Sequence, residues 1–456
     1  MEKILNYIED GKERFLNELI EFLKFPSVSS LSKHKPDMLA CANWLVEHIK
    51  SIGIEDVRLL ETEGNPAVFA QWLGQPGAPT LLIYGHYDVQ PVDPVELWET
   101  DPFEPLIKNN KIIARGTADD KGQLFCHLKA LESFFKLNGK PPMNIKLFFE
   151  GDEESAGEYM EDFIKDNKDL LAADYVLISD TEWLNDNSPS ICYALRGIAY
   201  FEIKLTGPNR DLHSGSYGGV VDNPANVLCW LINQLKDKYG RITIPNFYDK
   251  VVPLSKEERE SFKKLPFNEE EYCKDLAVDA LNGEFGYSAL ERVWGRPALD
   301  VNGMISGFTQ EGAKTVLPTE ASAKFSIRLV ANQSAQEIVE QVEKYIKTLT
   351  PPTMKLEFFC HSIGSPVLVS KDNPAIRACY EAMKEAFGKE PVFIREGGSI
   401  PIVENFQSIL KTPPALMGLG LPGDNIHSPN ENFDLNNFYG GIKASALFMD
   451  KLLKHI

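Results

Sequence analysis

Histidines and carboxylates occur in this chain in short motifs that could bind a metal ion. The segment Thr80–Val89 reads TLLIYGHYDV, an apolar run followed by Gly85 and then by His86 and Asp88, two positions apart. Residues two apart in an extended strand project to the same side. His86 could therefore be a metal ligand, with Asp88 or a neighbouring residue orienting its imidazole ring. On this segment alone, a structural histidine at a strand end is an equally good interpretation.

Four further candidate ligands lie near predicted strand ends or in a turn-rich loop. They are Asp119 in ARGTADDKG, Glu154 in FFEGDEESAG, Asp180 in ISDTEW and His427 in GDNIHSPNE. Two histidines and three carboxylates form the mixed nitrogen and oxygen set that suits zinc or manganese. Each motif alone is more often a charged turn or a surface loop. Their recurrence after successive strands favours a metal site, because clustered carboxylates repel one another unless a cation lies among them.

The same residues could hold two metal ions and provide a base. A site whose metals lie roughly 3.5–4 Å apart uses shared ligands between them, and Asp119 is our candidate for the bridging carboxylate. Glu153 stands directly beside Glu154. One of these carboxylates could bind a metal while the other stays free as a general base. The motifs therefore predict a metal centre with Zn²⁺ or Mn²⁺ as the candidate ions.

The elements that must position these motifs alternate between predicted strands and helices. Such alternation is typical of an α/β fold with a mostly parallel sheet sandwiched by helices, whose ligands lie at the carboxyl ends of the strands. From about Gly197 the pattern changes, and Ala199–Leu205 alternates strictly between apolar and polar residues, as in an antiparallel strand with one exposed face. We expect residues 1–196 and 365–456 to form a catalytic, metal-binding domain and 197–364 an inserted α+β domain. Residues 245–300 carry no recognisable functional signal.

Length and composition narrow the class of protein. A chain of 456 residues exceeds the size of a single growing core, so two domains are expected. The net charge of −19 argues against nucleic acid or an anionic membrane as a partner. No apolar run approaches the ~20 residues of a membrane span, and no signal-peptide pattern opens the sequence. The 7 cysteines are scattered and form no CxxC motif. We therefore expect a cytoplasmic protein.

Eight motifs, in order between residues 84 and 431, resemble a known family of two-metal peptidases. That family includes carnosinases, cytosolic non-specific dipeptidases, glutamate carboxypeptidase and succinyl-diaminopimelate desuccinylase. The motifs are YGHYDVQP, ARGTADDKG, FFEGDEESAG, ISDTEW, DLHSG, FSIRLV, REGGS and GDNIHSPNE. Within the family, the segments LRG, GAKTVLP, FSIRLV and REGGSIP look most like the dipeptidase branch.

The resemblance implies a role for each matched residue. It implies two divalent metal ions per subunit, bound by His86, Asp119, Glu154, Asp180 and His427, with Asp119 as the bridge. It implies Glu153 as the general base and Asp88 as the residue that orients His86. In the inserted domain it implies His213 as an oxyanion stabiliser and Arg328 as the carboxylate binder. By the same resemblance, Thr315 and Ser399 would contact the substrate. It further implies a cis Asp119–Asp120 peptide bond, and a homodimer formed through this lid/dimerisation domain with His213 acting in the partner's active site.

The expected activity is the hydrolysis of dipeptides by a water activated by two metal ions, with a small peptide as the substrate. Two alternatives remain open at this point. An N-acyl-amino-acid deacylase or desuccinylase would use the same centre on substrates that lack a free amine. A non-catalytic, metal-dependent binding protein on the same fold is the third interpretation. An unligated Glu153 argues against that third interpretation, because a pure binder has no need of a free carboxylate beside its metals.

Overall fold

A computed structural model describes residues 1–155, 157 and 159–456 of the chain. These residues form two compact units: the first is Met1–Tyr193, Val369–Ile394 and Asn405–Ile456, and the second is Ala194–Leu368 and Arg395–Glu404. The expected domain borders, 196/197 and 364/365, fall close to two of these borders. The segment Arg395–Glu404 differs from expectation, because it groups with the inserted unit. Its backbone carbonyls at Glu396 and Gly397 accept hydrogen bonds from Arg196, which ties it there.

The strands of the described residues are short, and many continue the apolar runs seen in the sequence. In chain order they are β1 (Asp56–Leu60), β2 (Ala67–Trp72), β3 (Thr80–His86), β4 (Leu106–Lys108), β5 (Lys111–Ile113), β6 (Asn144–Glu150), β7 (Tyr175–Ile178), β8 (Ser190–Leu195), β9 (Gly197–Thr206), β10 (Leu212–His213), β11 (Ala298–Ser306), β12 (Val316–Leu317), β13 (Glu320–Leu329), β14 (Lys355–Gly364), β15 (Val367–Leu368), β16 (Val392–Glu396), β17 (Pro414–Leu416) and β18 (Asn432–Asp434).

The helices alternate with these strands, and several begin at a capping residue. In chain order they are α1 (Glu2–Asp10), α2 (Lys12–Leu23), α3 (Lys35–Ile52), α4 (Lys121–Asn138), α5 (Met160–Asp166), α6 (Lys168–Leu171), α7 (Ser214–Tyr217), α8 (Pro224–Asn233), α9 (Lys256–Lys263), α10 (Glu269–Asp275), α11 (Ala289–Gly295), α12 (Ala335–Leu349), α13 (Pro374–Phe387), α14 (Pro401–Ser408) and α15 (Leu435–His455). No helix in the described part of the chain is long and apolar enough to cross a membrane.

The first unit is built on a mainly parallel sheet. Its strand order is β1-β2-β6-β3-β7-β17-β8, and the pairs β6–β3, β3–β7 and β7–β17 are parallel. All seven residues of β6 are buried, and so are six of the seven in β3. Strands buried on both faces must be covered by helices on both sides. The predicted α/β fold class is therefore confirmed for this unit.

The second unit contains an antiparallel sheet with one covered face. Its strand order is β11-β13-β9-β14, and buried residues alternate with half-buried ones along the whole of β9. The buried positions pack with apolar residues of α8 and α12 in one core. That core contains Ala199, Phe201, Ile203, Leu205, Leu228, Leu231, Ile338, Val342 and Ile346. The strict alternation at Ala199–Leu205 thus has the predicted cause, a strand that buries one face.

Candidate active site

The carboxyl ends of neighbouring parallel strands bring three of the candidate segments together. His86 is the last residue of β3, and Glu150 lies opposite it at the end of β6. Asp180 follows β7 by two residues, and Glu154 lies in a 3₁₀ turn, Glu153–Ser155, that follows β6. Parallel strands end at the same edge of a sheet, so the polar residues that follow them meet there. The parallel register of β3, β6 and β7 therefore positions His86, Glu154 and Asp180.

Two groups of three side chains could each hold one metal ion. His86, Asp119 and Asp180 form one group; Asp119, Glu154 and His427 form the other. Within each group the candidate ligand atoms lie within 4.8 Å of one another. Asp119 belongs to both: its Oδ1 lies 3.0 Å from His86 Nε2, and its Oδ2 lies 2.9 Å from His427 Nε2. A carboxylate shared in this way has the geometry that a bridging ligand requires.

Asp88 contacts the ring nitrogen of His86 that points away from Asp119. His86 Nδ1 lies 3.1 Å from the backbone carbonyl of Asp88 and 3.3 Å from its Oδ1. The other carboxylate oxygen of Asp88 accepts a hydrogen bond from the backbone N–H of Glu154 at 3.0 Å. Asp88 thus contacts His86 and also fixes the turn that carries Glu153 and Glu154. Such contacts set the tautomer and orientation of a ligand histidine.

The adjacent glutamates 153 and 154 have different surroundings. Glu154 Oε1 lies 3.1 Å from His427 Nε2, and Glu154 Oε2 accepts a hydrogen bond from Gln90 at 2.7 Å. The Glu153 carboxylate has no hydrogen-bond partner among the described residues. Burial, reinforced by the nearby carboxylates, raises the pKa of Glu153 to about 7 although the charge of His86 opposes this. Glu153 is therefore a half-buried carboxylate suited to accept and release a proton near neutral pH.

The pKa shifts of the histidines and carboxylates indicate that the candidate centre attracts positive charge. Hydrogen bonds to Asp119 and Glu154 raise the pKa of His427 to about 10. Burial opposes the charge of His86, but its hydrogen bonds to Asp119 and Asp88 outweigh burial and hold its pKa well above the usual value. Burial also raises the pKa of Asp180 well above its usual value. The charge distribution of the candidate centre therefore favours a bound cation.

The donor set and its charge fit divalent metal ions. Imidazole nitrogens and carboxylate oxygens are ligands of zinc and manganese, and metal binding displaces protons from such groups. One buried carboxylate oxygen in this region, Asp120 Oδ1, has no hydrogen-bond partner within the described residues. The Asp119–Asp120 peptide bond is cis, as the resemblance predicted. The residues of the first unit therefore form two candidate groups of metal ligands that share Asp119.

Several supporting residues were not assigned a role from the sequence. Gln90 donates to Glu154, and Asp152 accepts hydrogen bonds from the backbone and side chain of Asn65, both at 2.6 Å. The buried carboxylate of Glu431 contacts the loop that carries Asp119. All three lie in motifs that also contain candidate ligands. The sequence could have pointed to them, because each is a polar residue of such a motif to which no role had been given.

In the second unit the predicted substrate contacts form two local groups. His213, in β10, is exposed; its Nδ1 accepts a hydrogen bond from Gly215 N–H at 3.1 Å, and the next residue, Ser214, donates from its N–H to the carbonyl of Thr315. The other group is Arg328 and Ser399, whose Nη1 and Oγ lie 3.0 Å apart. No carboxylate pairs with Arg328 in the part of the chain that the structure describes. Each group thus contains a side chain with N–H groups, the imidazole of His213 and the guanidinium of Arg328.

Arg196 adds a second cation beside Arg328. Burial, and then the charge of Arg328, lower the pKa of Arg196 to about 10. Its Nε donates to the carbonyl of Gly397, and the Ser399 hydroxyl donates to the backbone carbonyl of Arg196 at 2.6 Å. Two neighbouring guanidinium groups repel each other unless an anion lies near them. This part of the second unit is therefore suited to a carboxylate ligand.

Comparison with known proteins gives the family. A model of peptidase family M20/M25/M40 matches residues 82–451. The Cys-Gly metallodipeptidase dug1 of Schizosaccharomyces pombe is 33% identical over 99% of this chain and 98% of its own length. The Beta-Ala-His dipeptidase of Homo sapiens is 30% identical over 98% of this chain and 92% of its own length. The solved structure of the M20 family metallo-carboxypeptidase Sso-CP2 from Sulfolobus solfataricus is 34% identical, with a TM-score of 0.85 over 96% of this chain and 99% of that one. Since the matched range contains the whole candidate centre and the similarity runs along nearly the entire chain, this protein is a member of peptidase family M20/M25/M40.

Proposed function

We propose that this protein hydrolyses dipeptides at a centre of two divalent metal ions, with Zn²⁺ or Mn²⁺ as the candidate ions. The observation that carries the proposal is a pair of three-ligand groups sharing Asp119, beside the carboxylate of Glu153, which has no hydrogen-bond partner among the described residues. The substrate class is supported by relatives that are named as dipeptidases for Cys-Gly and for Beta-Ala-His. The ligand groups and the names of these relatives both support metal-dependent hydrolysis of peptides.

Glu153 is the proposed proton carrier of the reaction. The bound ions would lower the pKa of water and polarise the peptide carbonyl. The Glu153 carboxylate accepts a proton from the attacking water and later donates it to the leaving amine. No hydrogen bond from the described residues competes for its oxygen atoms. Asp88 keeps the ring of His86 oriented and holds the Glu153–Glu154 turn by its contact with the N–H of Glu154.

Arg328 and Ser399 are the proposed binding groups for the terminal carboxylate of the substrate. A guanidinium group offers two parallel N–H donors to a carboxylate, and a hydroxyl can add a third hydrogen bond. Arg328 has no competing carboxylate among the described residues, and the charge of Arg196 adds to the attraction for an anion. Anchoring the terminal carboxylate restricts cleavage to bonds near the C-terminus of a peptide.

His213 is the proposed donor to the oxyanion of the tetrahedral intermediate. Because its Nδ1 accepts a hydrogen bond from Gly215, the neutral ring carries its proton on the exposed Nε2. Thr315 lies beside it and provides a further polar contact for substrate. By family resemblance we propose that the protein is a homodimer and that His213 acts in the active site of its partner.

A substrate panel tests the proposed function. The protein is stripped of metal with a chelator, loaded with Zn²⁺ or Mn²⁺, and assayed on Cys-Gly, β-Ala-His and Ala-Gly. Tripeptides with the same C-terminal residue and N-acetyl and N-succinyl amino acids are assayed in parallel. We expect metal-dependent cleavage of dipeptides. Preferred cleavage of longer peptides would indicate a carboxypeptidase, and preferred cleavage of the acylated amino acids a deacylase. No turnover on any amide with metals bound would overturn an enzymatic role.

A further inference from the structure

A buried carboxylate joins the loop of one candidate metal ligand to the loop of another. Glu431 is fully buried and stands four residues after His427. Each of its two carboxylate oxygens accepts two hydrogen bonds. The donors are Arg115 Nη1 at 2.7 Å and Gly116 N–H at 3.0 Å to Oε2, and Ala118 N–H at 3.0 Å and Asp119 N–H at 3.1 Å to Oε1.

The backbone of residues 114–119 is shaped around this carboxylate. Gly116 has a φ of +85°, which a glycine adopts without strain, and a Cβ at this position would lie 2.6 Å from Val89 Cγ1. A left-handed residue lets neighbouring backbone N–H groups converge on one point, where they bind an anion. Here the anion is a side chain 312 positions away in sequence from Asp119. Glu431 also accepts the N–H of Ala114 at its backbone carbonyl, so the two loops are joined at a second point.

This contact controls the spacing of two candidate ligands. The N–H of Asp119 is fixed by Glu431, while the Asp119 carboxylate lies 2.9 Å from Nε2 of His427. His427 itself has a φ of +60°, a backbone conformation that a non-glycine residue adopts only when its surroundings hold it there. A shift of the Asp119 loop would therefore change the distance between a carboxylate and an imidazole that share one candidate ion.

We propose that Glu431 is a positioning residue that sets the metal affinity of the centre by fixing Asp119 relative to His427. This inference rests on the proposed function, since it takes both residues as metal ligands. Mutation of a residue that hydrogen-bonds to a metal ligand typically weakens metal binding roughly 10- to 100-fold. The role requires a carboxylate, because an amide at this position has a single oxygen acceptor and turns an NH₂ group towards donors.

Metal binding to Glu431→Gln tests the proposal without relying on activity. Chelator-treated protein is first checked for native circular dichroism, and Mn²⁺ and Zn²⁺ affinities are then measured by calorimetry and by competition with a chromophoric chelator. We expect a folded apo protein whose Kd for metal is roughly 10- to 100-fold higher than in the wild type. If Glu431→Gln does not fold, Glu431→Asp decides: it keeps the charge, shortens the reach by one methylene, and should also weaken metal binding.

A second buried carboxylate provides the matched control. Glu132 accepts hydrogen bonds from Tyr7, Arg14 and Lys129, and it touches none of the candidate ligands. Glu132→Gln should lower the thermal midpoint and leave the metal Kd unchanged. Wild-type metal affinity in the folded Glu431 variant, or an equal loss of affinity in both variants, would overturn the positioning role. If the wild type itself binds no divalent metal, the proposed function fails and this inference fails with it.

Discussion

At the scale of single residues, neighbouring side chains of one type have different surroundings. Glu153 and Glu154 belong to the same 3₁₀ turn, yet only Glu154 contacts His427 and Gln90. The sequence could predict that the two glutamates divide two roles. The residue types alone could not show which glutamate has which role, because that depends on the direction of the turn after β6; only the family resemblance assigned Glu153 as the base and Glu154 as a ligand. The contacts of Glu154 with Gln90 and His427 agree with that assignment, which the following variants test.

Replacing Glu153 by glutamine should separate metal binding from catalysis. Glutamine keeps the shape of the side chain but cannot accept the proton of the attacking water. We expect Glu153→Gln to retain its metal ions and to lose about 10²–10⁴-fold in kcat. Glu154→Gln is the matched variant, and it should lose metal. Metal content of the purified proteins, measured by mass spectrometry, decides the assignment; the opposite distribution would mean that the two roles are exchanged.

Replacing Arg328 by lysine should weaken substrate binding specifically. Lysine keeps the positive charge but loses the planar pair of donors that a carboxylate accepts. A hydrogen bond to a charged group is worth about 1.5–3 kcal/mol, so we expect KM for dipeptides to rise roughly 10- to 100-fold. Thermal stability should change little. Peptides amidated at the C-terminus are the control, and if the wild type cleaves them as well as it cleaves free peptides, Arg328 does not bind the terminal carboxylate.

At the scale of elements, periodicity predicted strands and helices well but not their contacts. The apolar run that begins at Thr80 forms β3, and the alternating segment Ala199–Leu205 lies within β9. The helices α5 and α6 are separated at Asn167, whose side chain donates to the carbonyl of Phe163. The grouping of Arg395–Glu404 with the second unit depends on long-range hydrogen bonds. Such contacts leave no periodic signal in the sequence.

The packing of α4 against α15 should make stability depend on pH through His127. Its Nδ1 lies 2.9 Å from Ser445 Oγ, and burial lowers the pKa of His127 to about 3 from the ordinary value of 6.5. Between these two pH values the unfolded chain binds a proton that the folded chain excludes, so the free energy of unfolding falls as the pH falls. The contribution lost between pH 7 and pH 5 is about 2 kcal/mol.

Urea unfolding of the metal-free protein at pH 7 and pH 5 measures this effect. The glutamine of His127→Gln cannot take up a proton. From pH 7 to pH 5 the free energy of unfolding of this variant should therefore decrease by about 2 kcal/mol less than that of the wild type. Ser445→Ala removes the hydrogen bond but leaves the titrating ring, and it should keep the pH dependence of the wild type. An unchanged pH dependence in His127→Gln would show that the ring is charged in the folded protein.

At the scale of the whole molecule, the proposed functional residues divide between the two units. The candidate ligands and Glu153 belong to the first unit; His213, Thr315, Arg328 and Ser399 belong to the second. The change of periodicity near Gly197 made the division predictable, because a parallel sheet and a one-faced antiparallel sheet have different apolar patterns. The second unit also presents an edge strand, β11, whose residues are mostly exposed. An exposed edge strand is a surface on which another chain can pair.

Mixing two inactive variants should reveal whether His213 acts in the partner's active site. If it does, His213→Ala should lose about 10²–10³-fold in kcat, as expected for one oxyanion donor. His213→Ala and Glu153→Ala subunits are mixed, and exchange is verified by isolating dimers that carry two different affinity tags. Each mixed dimer would combine one intact Glu153 with the His213 of the other subunit. About half of the dimers are mixed after random exchange and each has one complete site, so activity should approach about a quarter of the wild type. Each variant incubated alone is the control and should stay inactive. Verified exchange without recovered activity would show that His213 works within its own chain or has no catalytic role.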